Sequence, residues 1–409
     1  MRIPVWYCDG HTDLELPDSC RVDLYDLPHK RLTALDDSHW LNSGKIPDDL
    51  IRFVQASGEL LVLVNDHYRP TPTARVLETL AELLLPRSVH YLVATALHAA
   101  PSVPALAAIF GELYPSISDR VQVHSAYDEA QLAIFGSSDR QVRLNRLFEE
   151  CDSVLIIGSV EPHYFAGFTG GRKIILPGCS SFADTSRNHA NALSPHSQPL
   201  ATRGNPVWED IQARTAALDY KHRYAIQLVC DHQRTIFHAS SGDWDAAYND
   251  ACTFVRTHFA HAVPEPYDAV ICVVYPPLDK NLYQLQKSYE NTAAAVRDGG
   301  TILLISACRE GVGDYRFVNL AKRIANGEGL DDGEAEDLLM GIHKVKRTER
   351  LAKRVNLTLV STLLSEQLEY LHIQPRSVIS DAVDELLVKY GRDCRIAVVP
   401  DSASQVLHQ

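Results

Sequence analysis

At 409 residues, with 45% hydrophobic and 22% charged side chains, the chain is too long for one ordinary core and has the composition of a globular protein of two domains. A formal net charge of −13 argues against a nucleic-acid binder, because neutralising phosphates takes a basic face, and it means that an anionic ligand would need a local cationic pocket. The nine cysteines are odd in number and lack Cys-x-x-Cys spacing, so neither a disulfide framework nor a structural zinc site is expected.

The amino terminus, Met1-Arg-Ile-Pro-Val-Trp-Tyr7, has no long apolar stretch before a small-residue cleavage site, and no apolar run reaches membrane-spanning length, so a cytoplasmic protein is expected. Apolar runs at 60–64 and 91–95 read as strands, and the patterns at 74–85 and 103–113 as helices. Such alternation is βαβ logic and predicts a largely parallel sheet covered on both faces. Thr71-Pro-Thr73 stands where the helix at 74–85 should begin, with a hydroxyl able to cap and free N–H groups able to bind a phosphate. A further buried strand is predicted at 153–157, ending at Gly158.

The alternation breaks at His261-Ala-Val-Pro-Glu-Pro266, read as an interdomain linker because two closely spaced prolines favour extended chain. A second α/β unit follows, with strands at 269–274 and 301–306 and a helix at 281–297 that presents Gln284 and Lys287 on one side near its amino end. The Gly- and acid-rich segment 326–336 reads as a solvated loop, and a last strand at 395–399 returns to pair with either domain. The expected fold is therefore α/β: an N-terminal domain over 1–262, a C-terminal domain over 267–394 and a tail, 395–409, returning to the N-terminal domain. Both domains carry largely parallel sheets, with the active site in the cleft between them.

The segment Glu161-Pro-His-Tyr-Phe-Ala-Gly-Phe-Thr-Gly-Gly-Arg-Lys-Ile-Ile-Leu-Pro-Gly178, followed by Asn188-His189, carries the chemistry. It follows a predicted strand, and open α/β sheets place ligands at strand carboxyl ends. A lysine can bond covalently to a carbonyl-bearing cofactor, and a neutral imidazole can ligate a borderline metal or move a proton. Gly170 and Gly171 supply positive φ angles and close backbone approach to a flat or phosphorylated ligand. The bland alternatives are a tight loop with one exposed lysine, a structural ion pair between Arg69 and Asp66, and an exposed helix face for Gln284 and Lys287. His196, His232 and His238 match no motif.

The long segment resembles the signature of the lactate racemase family, the nickel-pincer-nucleotide enzymes. Asn65-Asp-His-Tyr-Arg-Pro-Thr-Pro72 is similar to the family's Asp-x-x-Arg-Pro segment, and Ala94-Thr-Ala-Leu-His98 to its Ala-Thr-Gly-x-His segment. Gly204-Asn-Pro206, Asn281-Leu-Tyr-Gln-Leu-Gln-Lys287, Gly299-Gly300 and Cys308-Arg-Glu-Gly311 follow in family order, so the resemblance covers nearly the whole chain. It implies that Lys173 carries the nickel-pincer nucleotide covalently, that His189 ligates the nickel, and that His98 and His163 are the acid/base pair. It further implies that Asp66 helps to seat the cofactor and that Arg69, Gln284, Lys287 and Tyr283 hold the substrate carboxylate. Cofactor-synthesis and nickel-insertion proteins are the implied partners. Two departures stand beside His98: Ala96 replaces the family's Gly, and Ala99 its Arg, predicting a bulkier loop and one cation fewer.

The implied activity is racemisation or epimerisation of a lactate-like or malate-like 2-hydroxy acid by reversible hydride transfer at C2. Arg172, His67, Tyr68 and Tyr164 are candidates for extra polar contacts, although neighbours in an extended chain face opposite ways, which sets Arg172 against Lys173. Three other readings compete. A zinc hydrolase would use His98, His163 and His189, but no His-Glu-x-x-His helix is present and Lys173 would be unexplained. A nicotinamide dehydrogenase lacks its Gly-x-Gly-x-x-Gly turn. A noncatalytic homologue would keep the pocket without loading nickel.

Overall fold

The computed structural model describes residues 1–35, 45–137, 140–328 and 341–409. Of the loop expected at 326–336, residues 329–336 lie outside the described residues. The chain divides into two compact units. A mid-chain unit comprises residues 32–161 and 165–257, and a terminal unit comprises residues 1–31, 162–164 and 258–409.

In the mid-chain unit, six strands lie in the order Ile236–Gly242, His222–Cys230, Ser153–Ser159, Glu59–Asn65, Ser88–Ala94 and Val121–Val123. All neighbours are parallel except the edge strand Ile236–Gly242. The two central strands are buried along almost their whole length, which explains why their sequences, ELLVLVN and SVLIIGS, run apolar without alternation. One face packs Val62, Val64, Tyr91 and Leu155 against Val76, Leu77 and Leu80 of helix Thr73–Leu84 and against Phe110 of helix Val103–Phe110. Numbered in chain order, the strands run 3-2-1-4-5-6 across the sheet. The order reverses between Glu59–Asn65 and Ser153–Ser159, and a crevice forms there because the connections leave those two strands in opposite directions.

The terminal unit has a second sheet of six parallel strands: Ile373–Arg376, Asn356–Val360, Val296–Ile305, Tyr267–Val273, Arg395–Pro400 and Arg21–Leu24. One face is covered by Leu282, Leu285 and Tyr289 of helix Leu282–Thr292, with Phe317 and Leu320 of helix Tyr315–Ala325. The other face takes Val383 and Leu386 of helix Ile379–Tyr390, and Val5 and Leu14 from the hairpin of strands Arg2–Tyr7 and Gly10–Glu15.

This division differs from a break at 262–267. Residues 1–31 join the terminal unit, because the apolar strand Arg395–Pro400 needs a backbone partner on each side: Tyr267–Val273 supplies one and Arg21–Leu24 the other. The tail likewise stays in the terminal unit, where strand Val406–His408 pairs with Ala260–Ala262. The expected linker is thus partly a strand, and the division falls at 257/258, inside helix Trp244–Phe259. No helix among the described residues is long and apolar enough to cross a membrane.

Leu14 has no solvent exposure and packs in the core of the terminal unit, although it is 255 residues from Ala269 in sequence. Leu14→Ala should therefore destabilise the chain by about 2–5 kcal/mol, as deletion from a packed core does. Denaturant unfolding followed by circular dichroism measures this, and an unchanged midpoint would mean that the amino-terminal hairpin is an appendage.

Candidate active site

At the carboxyl ends of the central strands of the mid-chain unit a cavity opens. Asn65, Asp66 and Arg69 reach it from the turn after Glu59–Asn65, and Ala96 and His98 from the turn after Ser88–Ala94. Ser159, Thr169, Gly170 and Lys173 reach it from the segment after Ser153–Ser159. Three stretches more than 20 residues apart are thus gathered at the reversal of strand order.

Lys173 sits in a short 3-10 turn, Gly171–Ile174, where its amide donates to the Gly170 carbonyl at 3.1 Å. Its side chain keeps some accessible surface, yet the protein packed round the ammonium, and secondarily the Arg69 cation, lower its pKa to about 7. A lysine in this state is substantially a neutral amine at neutral pH, the form that makes covalent bonds.

Asp66 is buried, and its Oδ2 lies 2.6 Å from Nδ1 of His98. Burial alone would raise the Asp66 pKa. The hydrogen bond and charge of His98, followed by the charges of Arg69 and His67, outweigh it and leave the carboxyl below its ordinary value. An ionised Asp66 fixes Nδ1–H of His98 as a donor, so Nε2 is the basic nitrogen of the neutral ring. The Tyr68 amide donates to the other carboxylate oxygen at 3.2 Å, and the Tyr68 and His98 rings lie 4.7 Å apart.

Arg69 pairs with Glu161, at 3.8 Å, rather than with Asp66. Thr71 lies behind the cavity wall: its hydroxyl donates to Asn65 Oδ1 at 2.9 Å and meets Ser159 Oγ at 2.8 Å, and it does not cap the helix. Gly171 is also absent from the wall. A Cβ on it would lie 2.6 Å from the Tyr248 ring, and one on Gly170 2.7 Å from Gln227 and Val160, so both glycines are required by the packing of the chain on itself. Arg172 turns away from Lys173 to pair with Asp245 at 2.7 Å and Asp219 at 2.8 Å.

His189 lies outside the cavity wall, on helix Phe182–Ala190, whose first turn is capped by Ser181 accepting from the Asp184 amide. His189 Nδ1 lies 2.9 Å from the Thr185 carbonyl, which makes Nδ1 the donor and Nε2 the lone-pair nitrogen, the arrangement a metal-binding histidine takes. Among the described residues no group of three or more His, Cys, Asp or Glu side chains is placed to hold a metal ion.

His163, Tyr164, Tyr283, Gln284 and Lys287 belong to the terminal unit. Asn281 caps helix Leu282–Thr292 by accepting from the Gln284 amide at 3.2 Å. Lys287 is buried and Gln284 only partly exposed, so neither lies on an open helix face. Sequence reasoning missed Asn65, Ser159 and Thr169 on the cavity wall, and Lys344 in the terminal unit. Asn65 and Ser159 carried a signal, since each ends or follows a predicted strand beside a named motif residue.

The sequence matches a family model described as the lactate racemase N-terminal domain over residues 11–199, and one described as the lactate racemase C-terminal domain over residues 266–407. It is 26% identical over 377 residues to a lactate racemase of Lactiplantibacillus plantarum, covering 88% of this chain and 87% of that protein. It is 26% identical over 439 residues to a lactate racemase of Thermoanaerobacterium thermosaccharolyticum, covering 97% and 99%. The fold matches the structure of the lactate racemase apoprotein from the latter organism, with a TM-score of 0.81 at 24% identity over the whole of both chains. It also matches a Thermotoga maritima protein, with a TM-score of 0.67 at 15% identity over 88% of this chain and 96% of that one. At these identities the structural likeness concerns the fold.

Three outcomes are expected. Acylation of Lys173 by a small anhydride, read by peptide mass spectrometry, should rise with pH through about 7 and then level off. Arg69→Met removes a like charge and should move the Lys173 profile upward. Ala96 holds φ at 51° while its amide donates to the Gly178 carbonyl at 2.9 Å. Left-handed backbone costs a non-glycine residue about 1–2 kcal/mol, and glycine's added chain entropy returns part of that. Ala96→Gly should therefore stabilise the chain by about 0.5–1 kcal/mol in denaturant unfolding.

Proposed function

The chain belongs to the lactate racemase family, and from that premise we propose that it racemises or epimerises a small 2-hydroxy acid, lactate-like or malate-like, by moving the C2 hydrogen as hydride. The observation that carries this reading is the cavity at the strand-order reversal. There a lysine with a pKa near 7, an arginine and a carboxylate-oriented histidine line one wall.

Abstraction of the C2 hydrogen as a proton is unfavourable beside a carboxylate that already carries negative charge. Removal as hydride, with a base taking the hydroxyl proton, gives a planar 2-keto acid that either face can re-reduce. A nickel-pincer nucleotide supplies, when bound, the acceptor for that hydride. The residues present suit such a group: Lys173 as a neutral amine for covalent attachment and His189 Nε2 as a nickel ligand.

His98 Nε2 takes the hydroxyl proton of one antipode and returns it in the reverse direction, with Asp66 holding the ring and stabilising its protonated form. His163 does the same for the other antipode. Arg69 binds the substrate carboxylate through its planar fork, and Tyr283, Gln284 and Lys287 complete the recognition. Arg172 takes no part, since its guanidinium is committed to Asp245 and Asp219.

The test is co-expression with cofactor-synthesis and nickel-insertion proteins, then chiral analysis of a panel of 2-hydroxy acids headed by lactate and malate. Wild-type protein should gain the cofactor's mass and racemise one of them with C2 deuterium retained in the product, and Lys173→Ala should gain no mass. His189→Ala should lose nickel, whereas His98→Ala and His163→Ala should keep it and lose turnover by roughly 10²-fold or more. Deuterium washout would point to proton abstraction. An unloaded protein without turnover would point to the noncatalytic homologue.

A further inference from the structure

The terminal unit buries an ammonium group that no motif indicated. Lys344 lies near the start of helix Ile342–Ala352 and is 7% exposed. Its Nζ donates to the Tyr164 hydroxyl at 3.2 Å, the Tyr283 carbonyl at 3.0 Å and Gln286 Oε1 at 3.4 Å. An ammonium has three donors, and all three meet uncharged oxygens. The nearby carboxylate, Glu290, is committed to Arg347 at 2.7 and 3.0 Å.

The same Nζ stands 3.9 Å from the centre of the Tyr283 ring and 5.4 Å from that of Tyr164, within cation–π range of both. Tyr164 in turn stacks on His163, with ring centres 5.1 Å apart and planes 18° from parallel. One ammonium therefore grips a side chain assigned above to substrate recognition, and also the ring that supports an assigned acid/base histidine. Burial in this setting lowers the Lys344 pKa to about 7, which measures how unfavourable the charge is there. An apolar side chain of similar length would fill the space beside Leu282, Tyr289 and Phe317 without that cost. What the ammonium contributes is directional: three hydrogen bonds and two ring faces held from one point.

We propose that Lys344 is a positioning residue for the reaction proposed above, tying Tyr283 and Tyr164 into one arrangement and, through Tyr164, setting the His163 ring. The proposal rests on the racemase reading for its consequence in turnover, but not for its geometry. With its donors satisfied within the protein, Lys344 does not itself bind the substrate.

The geometry is tested on the full-length protein without cofactor, labelled with ¹⁵N-histidine, with the His163 imidazole signals assigned by their loss in His163→Gln. Lys344→Met should shift those signals and leave His90, on strand Ser88–Ala94 of the mid-chain unit, unmoved. Tyr164→Phe removes only the hydroxyl that Lys344 meets and should shift them in the same way, which decides the matter if Lys344→Met does not fold. His163 signals that superimpose on wild type overturn the proposal. In loaded enzyme, Lys344→Met should lower kcat by about 10- to 100-fold through misplacement, and nickel should be retained. A lower melting temperature with unchanged turnover would overturn it too. If wild type racemises no member of the panel, the functional reading falls, and the histidine signals still decide whether Lys344 sets His163.

Discussion

The reversal of strand order between Glu59–Asn65 and Ser153–Ser159 is the constraint on which the candidate site depends. Two parallel neighbours whose connections leave in opposite directions cannot both be covered at their carboxyl ends, so the sheet leaves a gap at that place. Asn65 and Ser159 end those two strands and are tied across the gap, with the Ser159 amide on Asn65 Oδ1 at 3.3 Å and Thr71 bridging to both. This polar brace engages the Thr71 hydroxyl just before the helix that starts at Thr73, as expected. The hydroxyl braces the strand ends behind the cavity, and Asp66, Arg69 and Lys173 are carried to the walls by the chain that leaves the brace.

Charge is arranged against the overall balance of the protein. The chain is acidic, with a net charge of −13, yet Arg69 and Lys173 share one small cavity in which each cation raises the cost of the other. Glu161 and ionised Asp66 offset that cost without quenching it, since Asp66 is taken by His98 and Glu161 stands 3.8 Å from Arg69. An anion entering the cavity therefore meets the Arg69 guanidinium, only partly neutralised by Glu161, and a Lys173 whose protonated form the anion itself would favour. A surface attraction would not serve as well, because salt screens exposed charges within about 10 Å.

The elements that sequence made legible are those with strong apolar periodicity. The strands at 60–64, 91–95, 153–157, 269–274, 301–306 and 395–399 all fall within observed strands or overlap them, because runs buried on both faces admit no other reading once helices flank them. What stayed illegible was partnership at long range. Nothing in Arg21–Leu24, a short strand with exposed residues, says that it caps a sheet whose nearest strand in space lies more than 370 residues away. Asp66, Arg69, His98 and Lys173, which reach the cavity, were legible through motif resemblance, and the packing role of the two glycines was not, for a physical reason. Positive φ tells that a Cβ is unwelcome, but not whether a ligand or, as here, Tyr248 and Gln227 would meet it. Lys344 gave no signal at all, since a basic helix segment, IHKVKRTERLA, looks solvated until tertiary packing buries one member.

Two lysines, one in each unit, thus have pKa values lowered to about 7, and their surroundings separate their uses. Both are held below the ordinary 10.5 by burial, so between about 7 and 10.5 the unfolded chain binds protons that the native chain does not, and each group becomes less of a burden to folding as pH rises through that interval. At neutral pH the native state therefore carries strain at both places. At Lys173 the amine opens on a cavity and has a like charge beside it, so the strain is relieved by losing the proton, and covalent attachment would make that relief permanent. At Lys344 the three donors are engaged by Tyr164, Tyr283 and Gln286, so the group has no reaction partner and the cost maintains an arrangement of rings. A shifted pKa alone would have marked both as nucleophiles, and it is the hydrogen-bond inventory that assigns one to chemistry and the other to architecture.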